Sequence, residues 1–193
     1  HAARRNVDIT VILVNNFTYG MTGGQVAPTT PHDSTTTTSP FGNPEDALDI
    51  SGVAEEAGAA FVARQVTSRP ELLVRDITRA IETEGFSLVE IISQCPTVYG
   101  RRNEMATAPE MLDWMEEQIA DGELEVGTFV DRDRAEFIES LGEVQDRAIA
   151  AEEPSDRSEP EWEGPDRTLR IAGAGGHGVV VAGTILGEAA ALN

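Results

Sequence analysis

Lysine is missing from this chain of 193 residues: all 14 basic residues are arginine, set against 34 Asp and Glu, for a formal net charge of −20. A surplus of that sign repels phosphates and excludes nucleic acid as a partner. A dense carboxylate surface without lysine is what a salt-adapted cytoplasm favours, because it keeps a protein soluble there. GC-rich codon usage together with an acidic linker gives the same composition. Cysteine occurs once, which excludes an internal disulfide framework and fits a reducing, cytoplasmic setting. No apolar run approaches the ~20 residues of a membrane span, so no membrane association is expected. The opening HAARRN has no Met and no apolar signal core, so secretion is not indicated. Aromatics reach only 5%, yet hydrophobic residues total 40%, enough for a core. The chain opens at His1 on what reads as the tail of a helix and stops at Asn193 inside a helical pattern, so an internal fragment of a longer protein is expected.

Strand and helix patterns alternate along residues 1–151. Residues 8–14 form a β-branched run expected to be a strand buried on both faces. Residues 27–40, rich in Thr, Ser and Pro, have no period, and a loop of that length is functional or disordered. Asn43 followed by Pro44 predicts the N-cap of a short helix ending at Glu56. Residues 59–66 read as the next buried strand, 70–84 as a helix with Leu72, Leu73, Ile77 and Ile81 inward, and 87–93 as a third strand. Residues 109–120 predict an amphipathic helix with Met111, Leu112, Met115 and Ile119 as core filling, and 133–151 a further helix. This order predicts an α/β fold with a parallel sheet. In such sheets ligands bind beyond the carboxyl ends of the strands. NNFTYGMTGGQ at 15–25 and Gln94-Cys95-Pro96 both fall at such ends.

The first of these segments carries far more polar and flexible chemistry than a reversal of direction requires. Asn15 and Asn16 offer hard amide oxygens suited to Mg²⁺, which keeps waters and phosphate oxygens in its octahedron. Thr22 and the amides of Gly23 and Gly24 could face phosphate oxygens. Against a Mg–diphosphate site stands the plainer reading of an Asn- and Gly-rich loop that merely turns. Cys95, on base rates a small buried hydrophobe, is held extended by Pro96. Arg101 and Arg102 are either a local cation site for an acidic electron acceptor or two solvated arginines, and long-range attraction needs salt to screen the chain's own charge.

NNFTYGMTGGQVAPTTP resembles the thiamine diphosphate loop in the β subunit of the 2-oxoacid:ferredoxin oxidoreductases, and the resemblance runs through SPFGNPEDAL and CPTVYGRRN to about residue 150. It implies a sheet of the thiamine-diphosphate-binding type and, within the family, a 2-oxoglutarate-type enzyme. By resemblance, Asn16 supplies a side-chain oxygen and Thr18 its backbone carbonyl to Mg²⁺. Tyr19, Gly20, Thr22 and Gly23 line the diphosphate, and Met21 lies nearer the reacting end of the cofactor. Cys95 would be the fourth thiolate of a [4Fe–4S] cluster, its three companions lying upstream of His1 with the Gly-Asp-Gly that carries the acidic Mg²⁺ ligand. The implied reaction is oxidative decarboxylation of a 2-oxoacid to a coenzyme A thioester, with electrons leaving through the cluster to ferredoxin. The implied partner is the family's α subunit. The fragment alone is then expected to be inactive.

Residues 152–168, rich in Pro and acids, read as a linker. Beyond it LRIAGAGGHGVVVAGTIL begins a second, truncated α/β unit at 169–193. Its GAGGHG, from Gly173 to Gly178, fits a dinucleotide fingerprint when taken alone. The segment also resembles the start of the γ domain of the same oxidoreductases, which explains both parts and the linker as a β–γ fusion, with His177 an exposed loop residue. Two alternatives remain: a non-oxidative thiamine diphosphate decarboxylase, and a nucleotide- or NAD-binding module built on GAGGHG.

Overall fold

Four strands form the central sheet of the computed structural model, which describes residues 1–151. A helical turn, α1 (Ala2–Arg5), ends at Asn6 in a left-handed conformation and leads into β1 (Ile9–Asn15). A small hairpin, β2 (Thr18–Tyr19) and β3 (Gln25–Val26), follows. Then come α2 (Ile50–Glu56), β4 (Phe61–Val66), α3 (Pro70–Glu82), β5 (Phe86–Ile92), α4 (Ala108–Asp121), β6 (Gly127–Asp131) and α5 (Phe137–Ala150). The sheet order is β1-β5-β4-β6, with β5 parallel to both β1 and β4, and β6 antiparallel to β4.

Alternation along the strands builds a core on each face. Val62 and Leu88 pack with Ala3, Ala54 and Ala59 on the side of α1 and α2. Phe61, Ala63, Val89 and Ile91 meet Leu73, Ile77 and Ala80 of α3 on the other. A third cluster closes the carboxyl ends, where Met111 and Met115 of α4 are fully buried against Val66, Ile92, Phe17 and Tyr99. Each such methionine contributes about 1.5–3 kcal/mol by leaving water. Helix α4 is well delimited: Thr107 and Glu110 form a reciprocal capping box, and Gly122, at φ +79°, ends it.

The structure corrects several expectations. Strand β1 is not buried on both faces: among the described residues it is an edge of the sheet, and Ile9, Ile12 and Val14 are exposed, Val14 at 63%. The helix expected from Asn43 begins six residues later. Its N-cap is Asp49, whose carboxylate accepts from the Gly52 amide at 3.0 Å. Asn43 is instead buried, its amide donating to the carbonyls of Thr30 and Glu45, both at 3.0 Å. On α3 the inward face is Leu73, Ile77 and Ala80, whereas Leu72 and Ile81 face solvent. Residues 127–131 form an antiparallel edge strand that the sequence pattern missed, so the sheet is mainly rather than wholly parallel. The Thr-rich segment is tightly hydrogen-bonded: Thr30, Thr36 and Thr38 each use a hydroxyl to hold a neighbouring main-chain group. Linker residues 152–168, the second unit at 169–193, its GAGGHG and His177 lie outside the described residues.

Candidate functional site

Parallel pairing of β1 with β5 aligns Asn15 with Ile92, and the Ser93 amide donates to the Asn15 carbonyl at 2.9 Å. Both chains leave the sheet at this point and on the same side. The first enters the hairpin around residues 15–26; the second runs through Gln94 and Cys95 into a wide turn of π type, Pro96–Gly100, closed by the Gly100 amide on the Cys95 carbonyl at 3.0 Å.

Two glycines let these segments touch. A methyl group on Gly20 would stand 3.6 Å from Cys95 Sγ and 3.7 Å from Asn16 Nδ2, so the loop backbone lies directly on the thiol. A methyl on Gly24 would fall 2.3 Å from Val98 Cγ1, and Gly24 also holds φ +88°, a region that disfavours any side chain. Asn16, Gly20 and Cys95 are therefore brought together, as the carboxyl-end argument predicts. Cys95 is half-buried and also borders the core cluster of Phe17, Ile92 and Tyr99, so it packs as well as presents a thiol.

The first turn is fixed by amide side chains. Asn15 Oδ1 accepts from the Phe17 amide at 3.0 Å, and Asn16 Oδ1 from the Thr18 amide at 3.3 Å. Phe17 adopts φ +65°, an uncommon conformation for a bulky residue, with its ring packed at 5.3 Å from Tyr99 and edge-on at 5.7 Å to Trp114. The Phe17 carbonyl accepts from Thr30 Oγ1 at 2.6 Å, and Thr18 Oγ1 donates to the Gln25 carbonyl at 2.8 Å. Behind the loop, the Tyr99 hydroxyl and Ser34 Oγ are 2.9 Å apart. Burial raises the Tyr99 pKa, and the bond to Ser34 offsets only part of that. Asn103 joins the turn to the Thr-rich segment, accepting from the Thr35 amide at 2.7 Å and donating to the Thr35 and Tyr99 carbonyls.

At the loop crest Tyr19, Met21 and Thr22 are exposed, Met21 completely. The amides of Gly23 and Gly24 do not point outward as expected: they donate to the carbonyls of Gly20 and Tyr19, at 3.3 and 2.9 Å, and close the turn. The Thr22 hydroxyl lies 2.7 Å from Gln25 Oε1. Among the described residues the preceding amides, those of Gly20, Met21 and Thr22, have no main-chain acceptor. Amides left without a main-chain acceptor are available to donate to anionic oxygens. A cleft of about 330 Å³ runs along Asn15, Asn16, Thr18 and Tyr19, with Leu13, Val14, Pro28, Leu48 and Ile50 forming much of its wall. The donor set fits part of a Mg–diphosphate site: neutral oxygens for the metal and amides for the phosphates. Among the described residues no three His, Cys, Asp or Glu side chains gather as metal ligands. No described helix is long and apolar enough to cross a membrane.

One polar cluster beneath the loop escaped the sequence reading. Glu90, in the middle of β5 and only 2% exposed, accepts from Asn15 Nδ2 at 2.9 Å, Ser51 Oγ at 2.7 Å and Arg64 Nε at 2.8 Å. Arg64 also bonds Asp49 at 2.5 Å. Burial works against the guanidinium charge, but Glu90 and Asp49 outweigh it and raise its pKa. Burial likewise pushes Asp49 upward, and the Gly52 amide with Arg64 more than reverses that, leaving it below the usual carboxylate range. The signal available in the sequence was the single charge inside the apolar run SLVEIIS.

Comparison with known proteins finds a matching family and several similar chains. Residues 1–91 match the family described as thiamine pyrophosphate enzyme, C-terminal TPP binding domain. The 2-oxoglutarate synthase subunit KorB of Methanocaldococcus jannaschii is 43% identical, over 73% of this chain and 57% of that protein. The ketoisovalerate oxidoreductase subunit VorA of Methanothermobacter thermautotrophicus is 34% identical, over 98% of this chain and 42% of that protein. Among solved structures, a 2-oxoglutarate:ferredoxin oxidoreductase from Magnetococcus marinus, with 2-oxoglutarate, coenzyme A and succinyl-CoA bound, superposes with a TM-score of 0.63 at 27% identity, covering 80% of this chain and 61% of its own. The chain thus spans little more than half the length of the first of these relatives. With a mainly parallel α/β sheet, a thiamine pyrophosphate domain match over residues 1–91 and these relatives, the chain is similar to the thiamine-diphosphate-binding subunits of the 2-oxoacid:ferredoxin oxidoreductases.

Proposed function

We propose that this chain contributes the second half of the thiamine diphosphate domain in an enzyme that oxidatively decarboxylates a 2-oxoacid to its acyl-CoA and passes the electrons through a [4Fe–4S] cluster to ferredoxin. The observation that carries this reading is the meeting of Asn16, Gly20 and Cys95 at the carboxyl ends of β1 and β5. A non-oxidative decarboxylase has no use for a thiol laid against the cofactor loop. 2-Oxoglutarate is the substrate we favour, because the relative at 43% identity is named for it and the ketoisovalerate relative stands at 34%.

Bound thiamine diphosphate supplies a thiazolium ring that accepts the electrons of the breaking carbon–carbon bond. This chain's residues hold and orient. Asn16 Oδ1 and the Thr18 carbonyl serve Mg²⁺, and the Gly20, Met21 and Thr22 amides receive diphosphate oxygens. Gly23 closes the turn that aims those amides. Tyr19, exposed at the crest, would lie along the diphosphate, and Met21, exposed beside it, would stand nearer the reacting end. Cys95 provides one thiolate to the cluster, the other three and the acidic metal ligand coming from the rest of the protein, and an α subunit completes the substrate pocket. Arg101 and Arg102, exposed beyond the π turn, offer a local cation site for an acidic ferredoxin once salt screens the chain's own charge. A reducing, cytoplasmic compartment suits a thiol kept free for iron.

Asn16→Ala in the full-length protein, assembled with its α subunit, tests this reading. The side chain makes one 3.3 Å bond to the Thr18 amide at a strand end, so its loss opens no core cavity. Mg²⁺-dependent thiamine diphosphate affinity should fall roughly tenfold or more, as for loss of a charge-assisted contact, with unfolding temperature nearly unchanged. Wild-type affinity in the variant would refute the assignment.

A further inference from the structure

We propose that Glu90, a residue that touches neither metal nor phosphate, is the positioning residue of the cofactor loop, acting through the orientation of the Asn15 amide. This inference rests on the thiamine diphosphate reading above.

The argument is one of donor and acceptor polarity. Glu90 Oε2 is held by Arg64 Nε at 2.8 Å and Ser51 Oγ at 2.7 Å. A carboxylate facing these donors is an acceptor at both oxygens, so Oε1 requires a donor as well. Asn15 Nδ2, at 2.9 Å, is that donor. The Asn15 amide has only two ends. With its nitrogen committed to Glu90, its oxygen must face the loop, where it accepts from the Phe17 amide at 3.0 Å and Thr29 Oγ1 at 2.8 Å. Those two bonds decide the loop's course. The first holds Phe17 at φ +65°, and thereby the direction in which Asn16 and Thr18 leave the strand. The second ties Thr29, and with it the Thr-rich segment, to the end of β1. Asn15 and Thr29 also stand between two clefts, the one beside Asn16 and a second of about 300 Å³ under Trp114 and Leu48. The same amide therefore forms part of the wall of the proposed cofactor cleft.

A buried carboxylate is a costly way to fill a sheet interior, and here it does something an apolar residue cannot: it makes one amide orientation right and the other wrong. In Glu90→Gln the new oxygen keeps Arg64 and Ser51, so the new NH₂ meets the NH₂ of Asn15. Either two donors oppose each other, or Asn15 turns over and presents its NH₂ to the Phe17 amide. In both cases a buried group loses its partner. In the double variant Asn15→Asp/Glu90→Gln, the same NH₂ donates to an oxygen at position 15, and the second oxygen there still accepts from Phe17 and Thr29. Every bond is restored with its direction reversed across the pair, and the charge of the cluster is unchanged.

The experiment titrates Mg²⁺ and thiamine diphosphate by calorimetry into the full-length complex freed of cofactor, for wild type, Glu90→Gln, Asn15→Asp and the double variant, with unfolding temperatures alongside. Wild type should bind. Each single variant should bind roughly tenfold or more weakly, the scale of a buried amide left without its acceptor. The double variant should return to within about threefold of wild type, the usual spread of a compensated pair. Tight binding by Glu90→Gln, or a folded double variant that remains as weak as the singles, overturns the positioning role while leaving the cofactor reading intact. Failure of wild type to bind overturns both. Should a single variant not fold, the double variant decides alone, and its failure to fold also counts against the proposal.

Discussion

Replacing Gly24 by alanine should unlock the cofactor loop from the cysteine-bearing turn, and the structure sets the size of the effect. Gly24 sits at φ +88°, where a side chain costs about 1–2 kcal/mol. Its new methyl would also fall 2.3 Å from Val98 Cγ1, a contact no real pair tolerates. Relieving it requires a shift of Val98 or of the loop, at about 1–3 kcal/mol for overpacking of this kind. Together the substitution should destabilise by about 2–5 kcal/mol if the costs simply add. Truncating the partner separates the two causes. In a Val98→Ala background the clash disappears and only the backbone strain of about 1–2 kcal/mol remains, so the pair should show a coupling of about 1–3 kcal/mol, the size of the lost clash. Chemical denaturation of the four proteins of the cycle gives these numbers, and a Mg²⁺–thiamine diphosphate titration reports whether the loop has moved. A Gly24→Ala cost that is the same with and without the Val98 side chain would refute the claim that the loop and the turn are packed against each other there.

Further outcomes are expected elsewhere. Asn43→Ala leaves the Thr30 carbonyl without a donor in a buried loop, and denaturation should show a loss of about 1–3 kcal/mol. Cys95→Ala removes a half-buried thiol with no hydrogen-bond partner among the described residues, so the stability of the cluster-free protein should change by less than about 1 kcal/mol, separating its chemistry from its packing. Glu116 is held below the usual carboxylate range by hydrogen bonds from Arg69 first and Ser68 second. A depressed folded pKa contributes stability above the unfolded value near 4.5 that is lost as pH falls through the lower folded value. Because Glu116 is 40% exposed, that contribution is screened to below about 1 kcal/mol. In an acid titration, Arg69→Gln should therefore match wild type at the lowest pH and trail it above the unfolded pKa. Finally, the intact complex should reduce ferredoxin and not NAD; equal rates with NAD, without an added carrier, would favour a dinucleotide role for the glycines at 173–178.

Much of the site was legible because it depends on strand ends. Apolar β-branched runs locate β1 and β5, the chain order makes them parallel, and parallel strands put their carboxyl ends on one edge. That alone brings the residues after Asn15 near those after Ile92. Register, by contrast, is a tertiary property. No local pattern says that β1 pairs with β5 and lies at an edge, which is why its exposed face was missed. Asn43 misled because Asn-Pro-Glu-Asp satisfies every local rule for a helix start, while the fold uses its amide to tie a loop. Asp49, also before an apolar residue, was an equally valid cap, and the choice between them depended on where the helix could pack. Strand β6 is short, begins with glycine and pairs antiparallel, so it lacks the continuous apolar run that marked the others. Glu90 was visible as a charge in a buried strand, but its partners come from β1, α2 and β4, three separate stretches of sequence.

The central claim is that the thiol of Cys95 holds the cluster that takes electrons leaving the thiamine diphosphate site. Low-temperature electron paramagnetic resonance of the full-length complex, mixed with 2-oxoglutarate and coenzyme A in the absence of ferredoxin, tests it when wild type and Cys95→Ser are compared at equal protein and measured iron. The account predicts a substrate-dependent reduced-cluster signal in wild type that is lost in Cys95→Ser, together with a fall in bound iron and retained thiamine diphosphate binding. Full iron and an undiminished substrate-dependent signal in Cys95→Ser would contradict it and return Cys95 to the core that it borders.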